Sequence, residues 1–112
     1  MAKVKSALLV SAALRYADKE LIDCVLVHRG DADAGAIFVH IDTRDGRHQI
    51  MARSLDYDGK YNWRVITGTE WVDADAAKSR LERELAQDPD AFVVEVSDPE
   101  ARNPFLMLKR CF

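Results

Sequence analysis

Cysteine is scarce: Cys24 and Cys111 are the only two in 112 residues, with no Cys-x-x-Cys and no Cys/His pair at zinc spacing. That excludes a disulfide scaffold and the common structural zinc motifs. Both cysteines read as reduced thiols, Cys24 as a small buried hydrophobe. No apolar run approaches the ~20 residues that a membrane helix needs. The stretch 7–14 behind Lys3 and Lys5 is about half a span. Ser11-Ala12-Ala13 resembles a cleavage site, but a cut there leaves a segment shorter than the ~15–30 residues of a secretory leader. A core-facing element is the expectation for this stretch. An excess of basic charge is also missing: 16 Lys and Arg stand against 19 Asp and Glu, a formal net charge of -3. Nucleic-acid binders carry a basic excess or stripe. The short clusters Lys3/Lys5 and Lys109/Arg110 read as solvated termini. A Walker A loop, a Gly-x-Gly-x-x-Gly fingerprint and a Gly-x-Ser-x-Gly elbow are all absent from the sequence. The expectations are therefore no cofactor, no metal, no nucleic-acid partner and no membrane partner.

What is present is the composition of a globular chain, 48% hydrophobic. Its length suits one domain, residues 1–112, able to bury roughly two-thirds of its unfolded surface. Ala, Leu, Arg, Lys and Glu favour a helix for at least residues 12–20. Residues 4–10 read either as its first turns or as a short strand, with Ser11 then capping the helix. Four strands follow, over 23–28, 36–42, 48–54 and 61–66. They are separated by the polar segment 29–35 and by the turn signals Asp45-Gly46 and Asp58-Gly59. Asp73 or Asp75 caps a second helix reaching about Gln87, with Ala74, Ala77, Leu81 and Leu85 on one face. Lys78/Glu82 and Arg80/Glu84 pair four apart on its other face. Pro89 stops it, and 91–96 is a last strand. The predicted fold class is α+β: a single, mostly antiparallel sheet, a four-strand meander plus a C-terminal strand, with two helices packed on one face. The tail 99–112 carries Phe105, Leu106, Met107 and Leu108, and reads as an interface or an edge-covering segment.

Chemistry-bearing residues are few. Asp31 and Asp33 flank each other between Gly30 and Gly35. Paired carboxylates can bind a divalent cation, but the further oxygen ligands of a calcium loop are missing, and a polar turn explains them. Arg29-Gly30-Asp31 spells the integrin tripeptide, read here as coincidence. His28 and His40 become cross-strand neighbours if the first turn centres near Ala34, yet no third metal ligand is evident. A triad written from Ser11, His28 and an aspartate has no nucleophile elbow to frame it. Trp63 shares a strand face with Tyr61 and Val65 and reads as core. Trp71 precedes a helix and serves equally as core or as a binding anchor.

The run Val27-His28-Arg29-Gly30-Asp31-Ala32-Asp33-Ala34-Gly35-Ala36 resembles the hallmark of a small, mainly alphaproteobacterial family catalogued as domain of unknown function 1491. Trp63-Arg64-Val65 before a glycine turn agrees in order and spacing. So does Asp88-Pro89-Asp90 followed by Phe92-Val93-Val94-Glu95-Val96 and an acidic turn. Leu9 and Phe92 stand where such proteins often carry tryptophan, and the tail after Pro104 is less typical. The resemblance covers about residues 4–105 and implies a bacterial cytoplasmic protein of one domain. It carries no activity, cofactor or catalytic residue to transfer.

The functional expectation is a small cytoplasmic protein-binding or adaptor module, self-associating, that presents loop 29–35 or the apolar tail. The alternative is a small enzyme or small-molecule binder beside the first hairpin, although no catalytic motif is recognisable. There Arg15 or Arg29 would hold an anionic group and Asp31, Asp33 or His40 would serve as acid–base groups, in a pocket of ~300 Å³ or more.

Overall fold

The computed structural model describes residues 5–55 and 57–108. Along the chain come α1 (Ser6–Lys19), β1 (Asp23–His28), β2 (Ile37–Asp42), β3 (His48–Leu55), β4 (Tyr61–Val65), α2 (Ala74–Gln87), β5 (Phe92–Ser97) and a 3₁₀ helix (Pro104–Leu108). Helix therefore starts by Ser6, and the strand alternative for the N-terminal stretch falls away. Ser11 lies exposed within α1 and caps nothing. Val10, Ala13 and Ala17, three or four apart, are the apolar stripe that α1 buries. In α2, Asp73 is the N-cap, its carboxylate accepting the Ala76 N–H at 2.8 Å. The Arg80/Glu84 pair forms at 2.9 Å, and Arg80 also donates to the Ile66 carbonyl.

The sheet is not a meander with an added strand. Its order is β1-β5-β2-β3-β4. β5 lies antiparallel to β1 and parallel to β2, while β2-β3 and β3-β4 are antiparallel hairpins. The reason lies in β5 itself. Phe92, Val93, Val94 and Val96 are apolar on both faces and at most 2% exposed. A strand of that kind needs neighbours on both edges and cover on both faces. β1 presents every other side chain to water and takes the edge. Segment 29–35 is therefore no hairpin turn. It carries the chain past the start of β5, and His28 pairs with Val93 rather than lying across from His40.

The helices do not share a face. Ile37, Val39 and Ile41 of β2 join Phe92, Val94 and Val96 of β5 in a cluster with Val10, Ala13 and Ala17 of α1. Phe38 and Val93 point the other way, with Ile50, Ala52 and Ala77 of α2. Helices stacked on one side would have left Phe38, Ile50 and Val93 in water. The C-terminal segment closes the α1 side: Phe105 and Leu108 are buried there, and the Phe105 ring lies 4.9 Å from that of Trp63. Leu106 and Met107 stay exposed, while Cys111, Lys3, Lys109 and Arg110 lie outside the described residues.

Candidate functional site

Loop 29–35 is built into the fold by its backbone. The Asp31 N–H donates to the Asp90 carbonyl at 2.8 Å, and the Gly35 N–H to the Asp31 carbonyl at 3.0 Å. A Cβ on Gly30 would stand 2.6 Å from the Ala91 carbonyl carbon, and one on Gly35 would stand 2.5 Å from the Asp90 oxygen. Both glycines are thus required by close approach to the turn before β5. The same loop caps α1, whose N-cap residue Lys5 offers no side-chain bond. Ala32 and Asp33 supply carbonyls to the N–H groups of Ala7 and Ser6, and the Ser6 hydroxyl donates to the Gly35 carbonyl at 2.7 Å. His28 completes the junction, its Nδ1 2.8 Å from the Ala91 carbonyl, which fixes that nitrogen as the donor.

The charged side chains of the loop are not gathered into a site. Arg29, Asp31 and Asp33 are exposed, and Asp33 meets Lys5 at 3.5 Å. The Asp31 carboxylate accepts the Asp33 N–H at 3.3 Å, an Asx-type turn bond. Arg15 lies on the solvent side of α1. A cleft of about 190 Å³ borders the loop, lined by Ser6, Asp33, Gly35, Arg53 and Tyr61 among others. Arg29, Asp31, Arg15 and His40 are not among its lining residues. Trp71 is half-buried against the α1-side cluster, with the Arg47 guanidinium 5.8 Å from its ring.

Titratable groups do converge on the opposite face, at the end of the β2–β3 hairpin. His40 Nε2 and His48 Nδ1 are 2.9 Å apart. The outer nitrogen of each ring faces a carboxylate: His40 Nδ1 is 3.5 Å from Glu95, and His48 Nε2 is 3.9 Å from Asp42. The order is Glu95–His40–His48–Asp42, across β5, β2 and β3. Asp42 is itself anchored by the Arg44 N–H at 2.8 Å. Burial holds the His40 pKa below the ordinary imidazole value, with Glu95 pulling up, His48 down and Asp42 up. Of this chain the sequence reading singled out His40 alone. His48 was within reach, because both histidines flank the same Asp45-Gly46 turn. Glu95 was not, since only the strand order brings β5 beside β2. Among the described residues no three His, Cys, Asp or Glu side chains surround one metal position.

The third feature is the outer edge of β1. Among the described residues no strand pairs with it. Val25 and Val27 are 50% and 59% exposed there, and Leu21, in left-handed backbone just before the strand, is 90% exposed. Cys24 faces inward, half-buried. Burial, with Asp23 adding to it, pushes its thiol up to about 11. No described helix is long and apolar enough to cross a membrane.

A family model described as a protein of unknown function, DUF1491, matches residues 4–106. The chain belongs to the DUF1491 family. DUF1491 proteins with solved structures share the fold. A crystal structure of a family protein from Caulobacter crescentus CB15 is 26% identical and superposes with a TM-score of 0.81, covering 91% of this chain and 94% of that one. A solution NMR structure of a DUF1491 protein from the same organism gives 26% identity and a TM-score of 0.80, over 93% and 94% of the two chains. Protein Atu0922 from A. tumefaciens is also 26% identical, with a TM-score of 0.73 over 92% of each chain. No curated protein matches. Close packing and helix capping account for Gly30 and Gly35 in this chain.

Proposed function

We propose that this DUF1491 protein is a small cytoplasmic protein-binding module that associates with a second copy of itself through the free edge of β1. The observation that carries this reading is the edge itself: an unpaired strand whose outward valines are half exposed. Unpaired backbone and apolar side chains on an exposed edge invite strand addition.

The sequence of the strand fits its own antiparallel copy. A two-fold axis through Leu26 sets Val25 against Val27 of the second copy, on the face opposite α1. It also sets Asp23 against Arg29 at both ends. Each Asp23 keeps most of its side chain in water and meets Arg44 only at 3.7 Å. Arg29 is exposed and has no carboxylate within ion-pair distance among the described residues. Opposite charges placed across a strand pair stabilise it and fix its register. The 3₁₀ helix does not supply this interface through Phe105 or Leu108, which are consumed in the core. The small-molecule reading gains little: the candidate groups are dispersed, and the cleft beside the loop is smaller than the ~300 Å³ of ordinary ligand sites.

Light scattering behind size-exclusion chromatography tests this across a concentration series. Dimer is expected to grow with concentration and to vanish in Val27→Lys with an unchanged circular dichroism spectrum. Asp23→Arg and Arg29→Asp should each weaken association, and the double swap should restore it. A wild-type chain that stays monomeric at millimolar concentration overturns the reading, as does a dimer indifferent to all three substitutions.

A further inference from the structure

In the Glu95–His40–His48–Asp42 chain the two rings meet at hydrogen-bond distance, 2.9 Å, while each outer nitrogen faces its carboxylate at 3.5 Å and 3.9 Å. If His40 donates toward Glu95, its Nε2 accepts from His48, and the outer nitrogen of His48 turns a lone pair toward Asp42. If His48 donates toward Asp42, the lone pair instead confronts Glu95. With one N–H on each ring, one of the three contacts has no donor. An extra proton on one ring supplies the third donor; a single cation placed between the rings removes the need for it. Both N–H groups then point outward at carboxylates, and both inner nitrogens become lone-pair donors to the cation.

We propose that His40 Nε2 and His48 Nδ1 are the two protein ligands of a site for one divalent ion of the zinc class, with Glu95 and Asp42 as the carboxylates that orient the rings. Four observations converge on it. The two inner nitrogens already meet at 2.9 Å. Tetrahedral zinc with bonds of ~2.0–2.1 Å holds two nitrogens about 3.3 Å apart, so the rings must part slightly and turn their inner nitrogens toward a shared point to admit the ion. Each ring has a carboxylate on the side away from its neighbour, at 3.5 Å and 3.9 Å, close enough for a shift of the rings to make the hydrogen bond usual for a metal-binding histidine. Imidazole is the preferred side-chain donor for ions of this class in its neutral form. The rings ride on a β-hairpin with paired backbone, so they are positioned before the ion arrives. The side chains of His40 and His48 are 12% and 10% exposed, and Glu95 at 43% opens the flank toward water. The remaining coordination positions fall to water or to an added ligand, because no third protein donor converges. A site of this kind is labile, unlike a closed structural zinc centre.

The test uses zinc ion alone on the full chain at pH 7.5, read by long-range ¹H–¹⁵N correlation of the imidazole nitrogens and by calorimetry. One equivalent is expected to shift His40 Nε2 and His48 Nδ1 while leaving the His28 ring unmoved. His40→Gln or His48→Gln should abolish calorimetric binding. Glu95→Gln retains both ligands and should weaken binding roughly tenfold, as loss of an orienting carboxylate does. The wild-type spectra do not depend on any variant folding. No shift at millimolar zinc overturns the proposal. So does a shift confined to His28, or binding that survives His48→Gln.

Discussion

Asp98 closes the turn after β5 from the inside. Its side chain is 5% exposed, and its carboxylate accepts from the Glu100 and Arg102 N–H groups and, at 2.8 Å, from Arg102 Nε. The Arg102 side-chain bond is the main reason its pKa falls from 3.8 to about 2. A carboxyl with a depressed folded pKa contributes stability above its unfolded pKa and loses it as pH falls toward the folded value. Asp98 should therefore add about 2 kcal/mol at neutral pH, a contribution that fades between about pH 4 and pH 2. Urea unfolding of the wild type and Asp98→Asn at pH 7 and at pH 2.5 checks this. The two proteins should differ by about that amount at pH 7 and by much less at pH 2.5. A gap independent of pH would show that Asp98 acts through packing instead. The sequence announced an acidic turn here. It did not announce that this turn aims the chain at the 3₁₀ helix, because the Arg102 contact depends on how the segment folds back.

At the scale of elements, loop 29–35 was the most legible motif and the most misread. Its glycines and aspartates mark a turn, and local chemistry alone makes that turn a hairpin between β1 and β2. The strand slotted between them changes what the glycines are for. Gly30 and Gly35 let two backbones touch, and the loop carbonyls cap a helix that has no capping side chain. Gly30→Ala should accordingly cost about 1–3 kcal/mol or more, the scale of an overpacked interior. It should disturb α1 and β5 together. Thermal unfolding gives the magnitude, and amide exchange gives the location: protection should drop at Asp31, at Ala7 and at Phe92, which are far apart in sequence. A ligand-binding loop would instead tolerate the methyl group and lose nothing at Ala7. The same lesson applies to the tail. Phe105 and Leu108 read in sequence as part of an interface or an edge cover, and they pack instead with Trp63 and α1 in the core.

At the scale of the whole molecule, the placement of β5 governs how the protein can fold. Five strands, their approximate bounds, α2 with its apolar face and the second half of α1 follow from local pattern. Strand order does not, because residues 23–28 and 91–96 both read as short apolar runs, and only burial in the folded sheet, on both faces for β5 and on one for β1, marks β5 as the central one. The arrangement that results joins β5 to β1 and to β2 across most of the chain. Such contacts require closure of long loops before any pairing compensates the lost entropy, which slows folding. Val94 sits at the crossing point: it is fully buried, pairs with Leu26 on one side and Val39 on the other, and packs in the α1-side cluster. If insertion of β5 is the step that commits the sheet, its contacts are already formed in the transition state. Val94→Ala should then lower the folding rate more than it raises the unfolding rate, a φ-value above about 0.5. Ala52→Gly at the β3–β4 ladder should act mainly on unfolding, since hairpins of local contacts need not form first. Chevron plots of the two variants decide the matter. The reverse pattern, with Val94 near zero and Ala52 high, would mean that the β2–β3–β4 ribbon forms the nucleus and that β5 docks afterwards into a slot held open for it.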